Sequence, residues 1–113
     1  IEKLLDNWYL EHAKKYFNKL LLKQYEKVKK YELLLPELKV RKLAKRWGSC
    51  TKDGRIILNI ELIKGSSLCI EYVLMHELCH LKYYNHDKKY YDFLELLMPD
   101  WEKRKTRLEN YRN

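Results

Sequence analysis

Three histidines and one glutamate lie within the eleven-residue segment HELCHLKYYNH, which runs from His76 to His86. On a helix, residues four apart share one face with their Cβ atoms about 5–6 Å apart, so His76 and His80 can direct a ring nitrogen at one ion. Glu77 lies on the flank of that face, where it can reach a metal-bound water without binding the metal itself. This is the HExxH pattern of zinc hydrolases, and it predicts a Zn²⁺ site with a built-in base.

Two histidines leave a catalytic zinc site incomplete, because such sites usually have three protein ligands and an open position for water. His86 is the first candidate, but at about 100° per residue an unbroken helix would carry it roughly 120° from the ligand face. The helix must therefore end between Leu81 and Asn85. Asn85 suits such a break, because asparagine tolerates the left-handed conformation. A glutamate from a later helix, either Glu95 or Glu102, is the alternative third ligand.

Helical patterns occupy both ends of the chain. Apolar residues recur at three- and four-residue steps from Ile1 to about Val28, which predicts a long amphipathic helix, and Pro36 ends any continuation. His12 lies on this helix and is expected to be a structural or surface residue rather than a ligand. Two further helices are predicted at 88–98 and 100–112, separated by Pro99.

The middle of the chain predicts a β-hairpin followed by the helix that carries the histidines. Residues 38–47 and 55–60 read as extended runs, with the turn signal Lys52-Asp53-Gly54 between them, although 41–47 taken alone could be helical. Ser66 and Ser67 can cap the next helix, whose apolar residues cover much of its circumference and therefore predict burial. The polar residues in its middle need partners or a cleft. The predicted fold class is α+β.

The composition is that of a folded, helix-rich chain, with 46% apolar and 35% charged residues among 113. This length predicts one domain over residues 1–113. The chain starts at Ile1 rather than methionine, so we expect it to be a segment of a longer polypeptide. No apolar run reaches the roughly 18 to 20 residues that span a bilayer, so we expect no membrane partner.

Charge and cysteine content limit the partners and the compartment. The formal net charge of +8 favours polyanions such as nucleic acid, although lysines spread along helical faces can equally form a solvated surface. Cys50, Cys69 and Cys79 are an odd number without a CxxC pair, which predicts a reducing compartment, the cytoplasm. Cys50 and Cys79 are expected to be small buried residues rather than ligands.

Three segments resemble the YgjP-like metallopeptidases, a family related to the SprT-like zinc proteases. These segments are RWGSCTKDGRIILNIELI from Arg46, YVLMHELCHLKYYNH from Tyr72 and MPDW from Met98. The resemblance implies a small zincin-like catalytic domain, with a long N-terminal helix, a short hairpin or sheet, an HExxH helix and C-terminal helices. It also implies zinc ligands at His76, His80 and His86 and a catalytic glutamate at Glu77.

The sequence departs from the family pattern just after the third histidine. Typical members have Ser at the position of Asp87 and Phe-Trp at the positions of Tyr90 and Tyr91, so we expect a different pocket wall. Asp87 can support a zinc ligand from behind.

The expected activity is hydrolysis of a protein or peptide by zinc-activated water, with Glu77 as general base. The RWGSC segment is expected to form the other wall of the cleft, where Trp47, Gly48 and Ser49 contact substrate, although Trp47 can equally be core. The oxyanion needs a hydrogen-bond donor, for which four tyrosines are candidates: Tyr83, Tyr84, Tyr90 and Tyr91.

The rival hypothesis is a basic DNA-associated module in which zinc is structural. A protease acting on DNA-bound proteins, as the SprT-like relatives suggest, would combine both functions. Salt-dependent DNA binding that survives the loss of zinc and of Glu77 would favour the module.

Overall fold

The computed structural model of the chain describes residues 2–112, with side chains described for residues 8–110. Its helices are α1 (Glu2–Val28), α2 (Ser67–Cys79), α3 (Lys88–Leu97) and α4 (Trp101–Arg112). Its strands are β1 (Glu37–Arg41), β2 (Gly48–Cys50) and β3 (Arg55–Asn59). The predicted α+β class is confirmed, and the helices begin and end within a few residues of their predicted bounds.

The sheet contains the predicted hairpin and one pairing that was not predicted. β2 and β3 pair antiparallel, joined by a turn in which Gly54 has the positive φ of 87° that favours glycine. In place of one extended run over 38–47, only Glu37–Arg41 forms a strand, and residues 42–47 are irregular. β1 pairs in parallel with β3, so the strand order is β1-β3-β2 and β2 lies at an edge.

α2 is the central element of the core and packs against α1, β2, α3 and α4. The Ser66 hydroxyl caps its start by accepting a hydrogen bond from the backbone N–H of Cys69 at 3.3 Å, as predicted. Apolar residues on all sides of α2 are buried, including Ile70, Leu74 and Leu78. The helix therefore holds its polar residues in fixed positions.

A buried carboxylate ties three helices together. Glu71 on α2 is 5% exposed, and its two oxygens each lie 2.9 Å from a cationic nitrogen, Lys23 Nζ on α1 and Arg104 Nη1 on α4. Burial by itself would raise the pKa of Glu71, but hydrogen bonds and charge from Lys23 and Arg104 outweigh it and lower this pKa below 4.5. Glu71 is therefore ionised at neutral pH and its charge is compensated.

None of the helices in the described part of the chain has the length and apolarity that a membrane crossing requires.

Candidate metal centre and active-site cleft

The helix that carries His76 ends earlier than predicted. α2 stops at Cys79, before the predicted interval of Leu81 to Asn85. The reason is a tightening of the last turn, in which the backbone N–H of His80 bonds to the carbonyl of Glu77, three residues back, at 3.1 Å. His80 is the capping residue, so it keeps the helical position one turn after His76.

The chain reverses after α2 without a left-handed asparagine. Within the described residues Glu32 is the non-glycine residue with positive φ, so the prediction for Asn85 was wrong. Asp87 instead starts α3, because its carboxylate accepts a hydrogen bond from the backbone N–H of Tyr90 at 3.2 Å. His86 therefore lies in the short connection between α2 and α3 and is free of the helical period.

The three predicted histidines converge. One ring nitrogen from each of His76, His80 and His86 lies within 4.8 Å of the others, and the Nε2 atoms of His76 and His86 are 3.2 Å apart. Two nitrogens bound at about 2.0–2.1 Å to a tetrahedral ion are about 3.3 Å apart, so this spacing fits zinc. The alternative ligands Glu95 and Glu102 are exposed and lie outside this group.

The protonation and orientation of the histidines also suit a metal. Burial, reinforced by the neighbouring His80 and His86, lowers the pKa of His76 to about 3, and burial likewise lowers the pKa of His80. Metal ligation requires neutral imidazole, so the rings are in the competent form. His80 Nδ1 donates a hydrogen bond to the Tyr83 carbonyl at 3.2 Å, which leaves Nε2 for the ion.

Glu77 is 6% exposed and lines a cavity together with the three histidines. Burial raises the pKa of Glu77 to about 7, while the charge of Arg46 lowers it. A carboxylate with a pKa near the working pH can both accept and return a proton. The arrangement can therefore combine a bound cation with an adjacent base.

The cleft lies between the C-terminal half of α2 and the edge strand β2. It has a volume of about 430 Å³, and its β2 wall consists of Gly48, Ser49 and Cys50. A Cβ atom at Gly48 would lie 2.9 Å from Val73 Cγ1, so the two walls approach this closely because the residue is glycine. The structure thus places Gly48 and Ser49 in the cleft itself.

Trp47 lies in an adjoining pocket rather than in the cleft. This pocket has a volume of about 280 Å³, and its apolar lining comprises Trp47, Tyr72, Val73 and Leu108. It shares Arg46, Gly48, His76 and Glu77 with the cleft. Because Trp47 also packs against the core, the structure gives it both of the positions considered from sequence.

The prediction for the cysteines was right for one and wrong for the other. Cys79 is fully buried, but Cys50 is half-buried and lines the cleft, because the edge strand turns it toward α2. Burial, then the charges of Glu77 and Asp53, raise the pKa of Cys50 to about 11. Cys50 is therefore a neutral thiol.

The four candidate tyrosines occupy different environments. The Tyr90 hydroxyl is buried and donates a hydrogen bond to the carbonyl of His76 at 2.6 Å, so it is directed away from substrate. Tyr83 packs edge-on against Phe93. Tyr84 lines the cleft, and the ring centroid of Tyr91 is 6.2 Å from that of His86.

Sequence reasoning missed two residues at this site. Arg46 lines both cavities, and Asn59 is 3% exposed and hydrogen-bonded through its side chain to the loop that carries Arg46. Arg46 adjoins the WGSC segment, which was its signal. Asn59 carried none, because a buried asparagine is recognised only by its partners.

The comparisons with known proteins assign the family. A family model described as YgjP-like, metallopeptidase domain, matches residues 1–111. The chain belongs to the YgjP-like metallopeptidase family. This YgjP-like domain is accordingly a metal-dependent hydrolase, and the family implies a metal ion for which the three histidines form a suitable group. No curated protein matches the chain.

A solved structure supports the fold of this YgjP-like domain. The chain is similar to the metallopeptidase zymogen of Pyrococcus abyssi abylysin, with a TM-score of 0.74 at 20% sequence identity. The match covers 84% of this chain and 93% of that one. At this identity the likeness concerns the fold.

Proposed function

We propose that the protein is a zinc peptidase in which His76, His80 and His86 bind the metal and Glu77 is the general base. The observation that carries the proposal is the convergence of three imidazole nitrogens within 4.8 Å beside a buried carboxyl group in one cleft. Imidazole suits zinc, and three protein ligands with an open position are the usual catalytic set. The zymogen in the structural match is also a metallopeptidase.

When bound, zinc supplies Lewis acidity that polarises a peptide carbonyl and lowers the pKa of water toward about 7. Glu77 takes a proton from the attacking water and later delivers it to the leaving amine. The depth of Glu77 excludes bulk water from this transfer. His80 keeps its orientation through the hydrogen bond from Nδ1 to the Tyr83 carbonyl.

The substrate is an extended protein or peptide segment that pairs with the edge strand β2. Gly48–Cys50 has a neighbour on one side alone in the described sheet, so its other edge faces the cleft. Main-chain hydrogen bonds to such an edge bind a peptide without regard to its side chains. Ser49 adds a hydroxyl to this wall. Tyr84 and Tyr91 are the remaining tyrosine candidates for binding the oxyanion.

The proposal is tested with Glu77→Gln. Metal content is measured by elemental analysis on protein purified without an affinity tag or added metal, and hydrolysis is measured on a mixture of short peptides. We expect about one zinc per chain in both proteins. Hydrolysis should fall about 10²- to 10⁴-fold in the variant. Full activity in Glu77→Gln would exclude this base, and a wild type that binds no zinc would exclude the metal site.

A second candidate function is DNA-linked proteolysis or DNA binding, favoured by a group of exposed lysines on α1: Lys14, Lys15, Lys19, Lys23 and Lys27. Neither cavity at the metal centre is lined by these lysines, so binding and hydrolysis would be separable. Binding to duplex DNA that weakens with salt and persists in Glu77→Gln would support this candidate. The three free thiols are compatible with the predicted cytoplasmic location.

A further inference from the structure

Arg46 presents a cation between the cleft and the adjoining pocket. Its side chain is exposed and lines both cavities, in each case together with Glu77. None of the ion pairs among residues 8–110 involves Arg46. Its guanidinium is therefore available to an anionic or carbonyl oxygen that enters the cleft.

The backbone beneath Arg46 is fixed by Asn59 at the end of β3. Asn59 Nδ2 donates hydrogen bonds to the carbonyls of Leu43, at 3.0 Å, and Arg46, at 3.1 Å. Its backbone N–H donates a third to the Trp47 carbonyl, at 2.9 Å. Although residues 42–47 are irregular, the loop is held on the sheet, and the position of Arg46 is set before any substrate binds.

The pocket next to Arg46 is apolar and lies on the Glu77 side of the metal centre. Its lining includes Tyr72, Val73 and Leu108, which are 7%, 4% and 4% exposed. It contains His76 and Glu77 in its wall but neither His80 nor His86. A volume of about 280 Å³ has room for a large apolar side chain.

We propose that this pocket and Arg46 together bind the substrate residue whose amine leaves. The inference rests on the proposed function, in which Glu77 delivers a proton to that amine, so the residue carrying it lies on the Glu77 side. Its apolar side chain fills the pocket, and its backbone carboxyl oxygen accepts hydrogen bonds from the Arg46 guanidinium. A guanidinium donates in a planar fork, which matches a carboxylate and can also bind a carbonyl.

That oxygen has two possible sources, a free C-terminal carboxylate or an internal peptide carbonyl. A peptide cleaved by the wild type, with leucine or phenylalanine after the scissile bond, is prepared in three forms. One ends at that residue as a free acid, one ends there as an amide, and one continues with alanines. Steady-state kinetics on all three are compared for wild type, Arg46→Gln, Arg46→Lys and Lys45→Gln. Lys45 is the matched control, because it is exposed on the same loop and lines neither cavity.

We expect Arg46→Gln to raise KM about tenfold or more on at least one form and to leave kcat within about threefold, because a charge-assisted bond made in the bound state is lost. Arg46→Lys should recover part of that loss, and Lys45→Gln should match the wild type. A rise confined to the free acid identifies the carboxylate, and a rise on all three forms identifies the carbonyl.

An unchanged KM on every form, or a fall in kcat with KM unchanged, would overturn this role of Arg46 while the proposed peptidase activity stands. A preference for charged rather than apolar residues after the scissile bond would overturn the pocket assignment. A wild type that hydrolyses no peptide would overturn the proposed function, and the inference with it.

Discussion

The hydroxyl of Tyr90 donates a hydrogen bond to the backbone carbonyl of His76 at 2.6 Å. Helix ends leave carbonyls without intrahelical partners, and here the N–H of His80 bonds to Glu77 rather than to His76. A side chain of α3 thus satisfies the last turn of α2 at the residue that carries a candidate metal ligand. Tyr90 is a positioning residue for His76.

Tyr90→Phe should lower the free energy of unfolding by about 1 to 3 kcal/mol, because it leaves a buried carbonyl without a donor. Thermal unfolding and zinc titration measure the effect, and Tyr84→Phe, which alters an exposed hydroxyl, should leave stability unchanged. Hydrolysis by Tyr90→Phe should remain well above that of Glu77→Gln. Abolished hydrolysis with unchanged stability and zinc affinity would instead make Tyr90 the oxyanion donor.

His86→Ala should weaken zinc binding by more than the roughly 10- to 100-fold that loss of a supporting hydrogen bond costs, because it removes a ligand itself. Competition with a chromophoric chelator measures this affinity. Glu95→Gln is the control, because Glu95 is exposed and outside the histidine group. Equal zinc affinity in wild type and His86→Ala would return the third ligand to the glutamates.

Glu71→Gln should lower the free energy of unfolding at pH 7 by roughly 3 kcal/mol, because Arg104 is left buried without its partner. The pKa of Glu71 is lower in the folded state than its ordinary value of 4.5, so the carboxylate stabilises the fold above that value. This contribution is lost as the pH falls through the folded-state pKa. The difference between wild type and Glu71→Gln, followed by urea unfolding, should shrink below pH 4.5; a difference independent of pH would contradict the linkage.

Gly48→Ala should destabilise the protein by about 1 to 3 kcal/mol, because its Cβ would lie 2.9 Å from Val73 Cγ1 and 3.2 Å from Leu58 Cδ2. Both walls of the cleft would have to move apart, so hydrolysis should fall as well. The double variant Gly48→Ala/Val73→Ala should recover part of the stability, which a double-mutant cycle measures as coupling. Additive effects would mean that the close approach of β2 and α2 is not what requires glycine.

The sequence predicted the histidine group well because its information is local. The spacing of His76 and His80 follows from the helical period, and a break before His86 was required by the same geometry. The exact end of α2 and the role of Asn85 were predicted wrongly, because a last turn can tighten without a left-handed residue.

The parts that escaped prediction depend on contacts between distant residues. The parallel pairing of Glu37–Arg41 with Arg55–Asn59 carries no turn signal, since its partners are joined by another strand and irregular chain. Arg46 reaches the cleft because Asn59 holds its loop, and this carboxamide looks like any other in the sequence. Cys50 faces the cleft because β2 is an edge strand.

The three histidines of the metal centre lie no more than ten positions apart along the chain. An ion bound there closes a very short loop, and the entropy gained by such a cross-link is small because it grows with loop length. The metal therefore fastens the connection between α2 and α3 but does not join α1, the sheet and α4, which are held by the apolar core and by Glu71. Demetallation should loosen one corner of the molecule and leave the remainder folded.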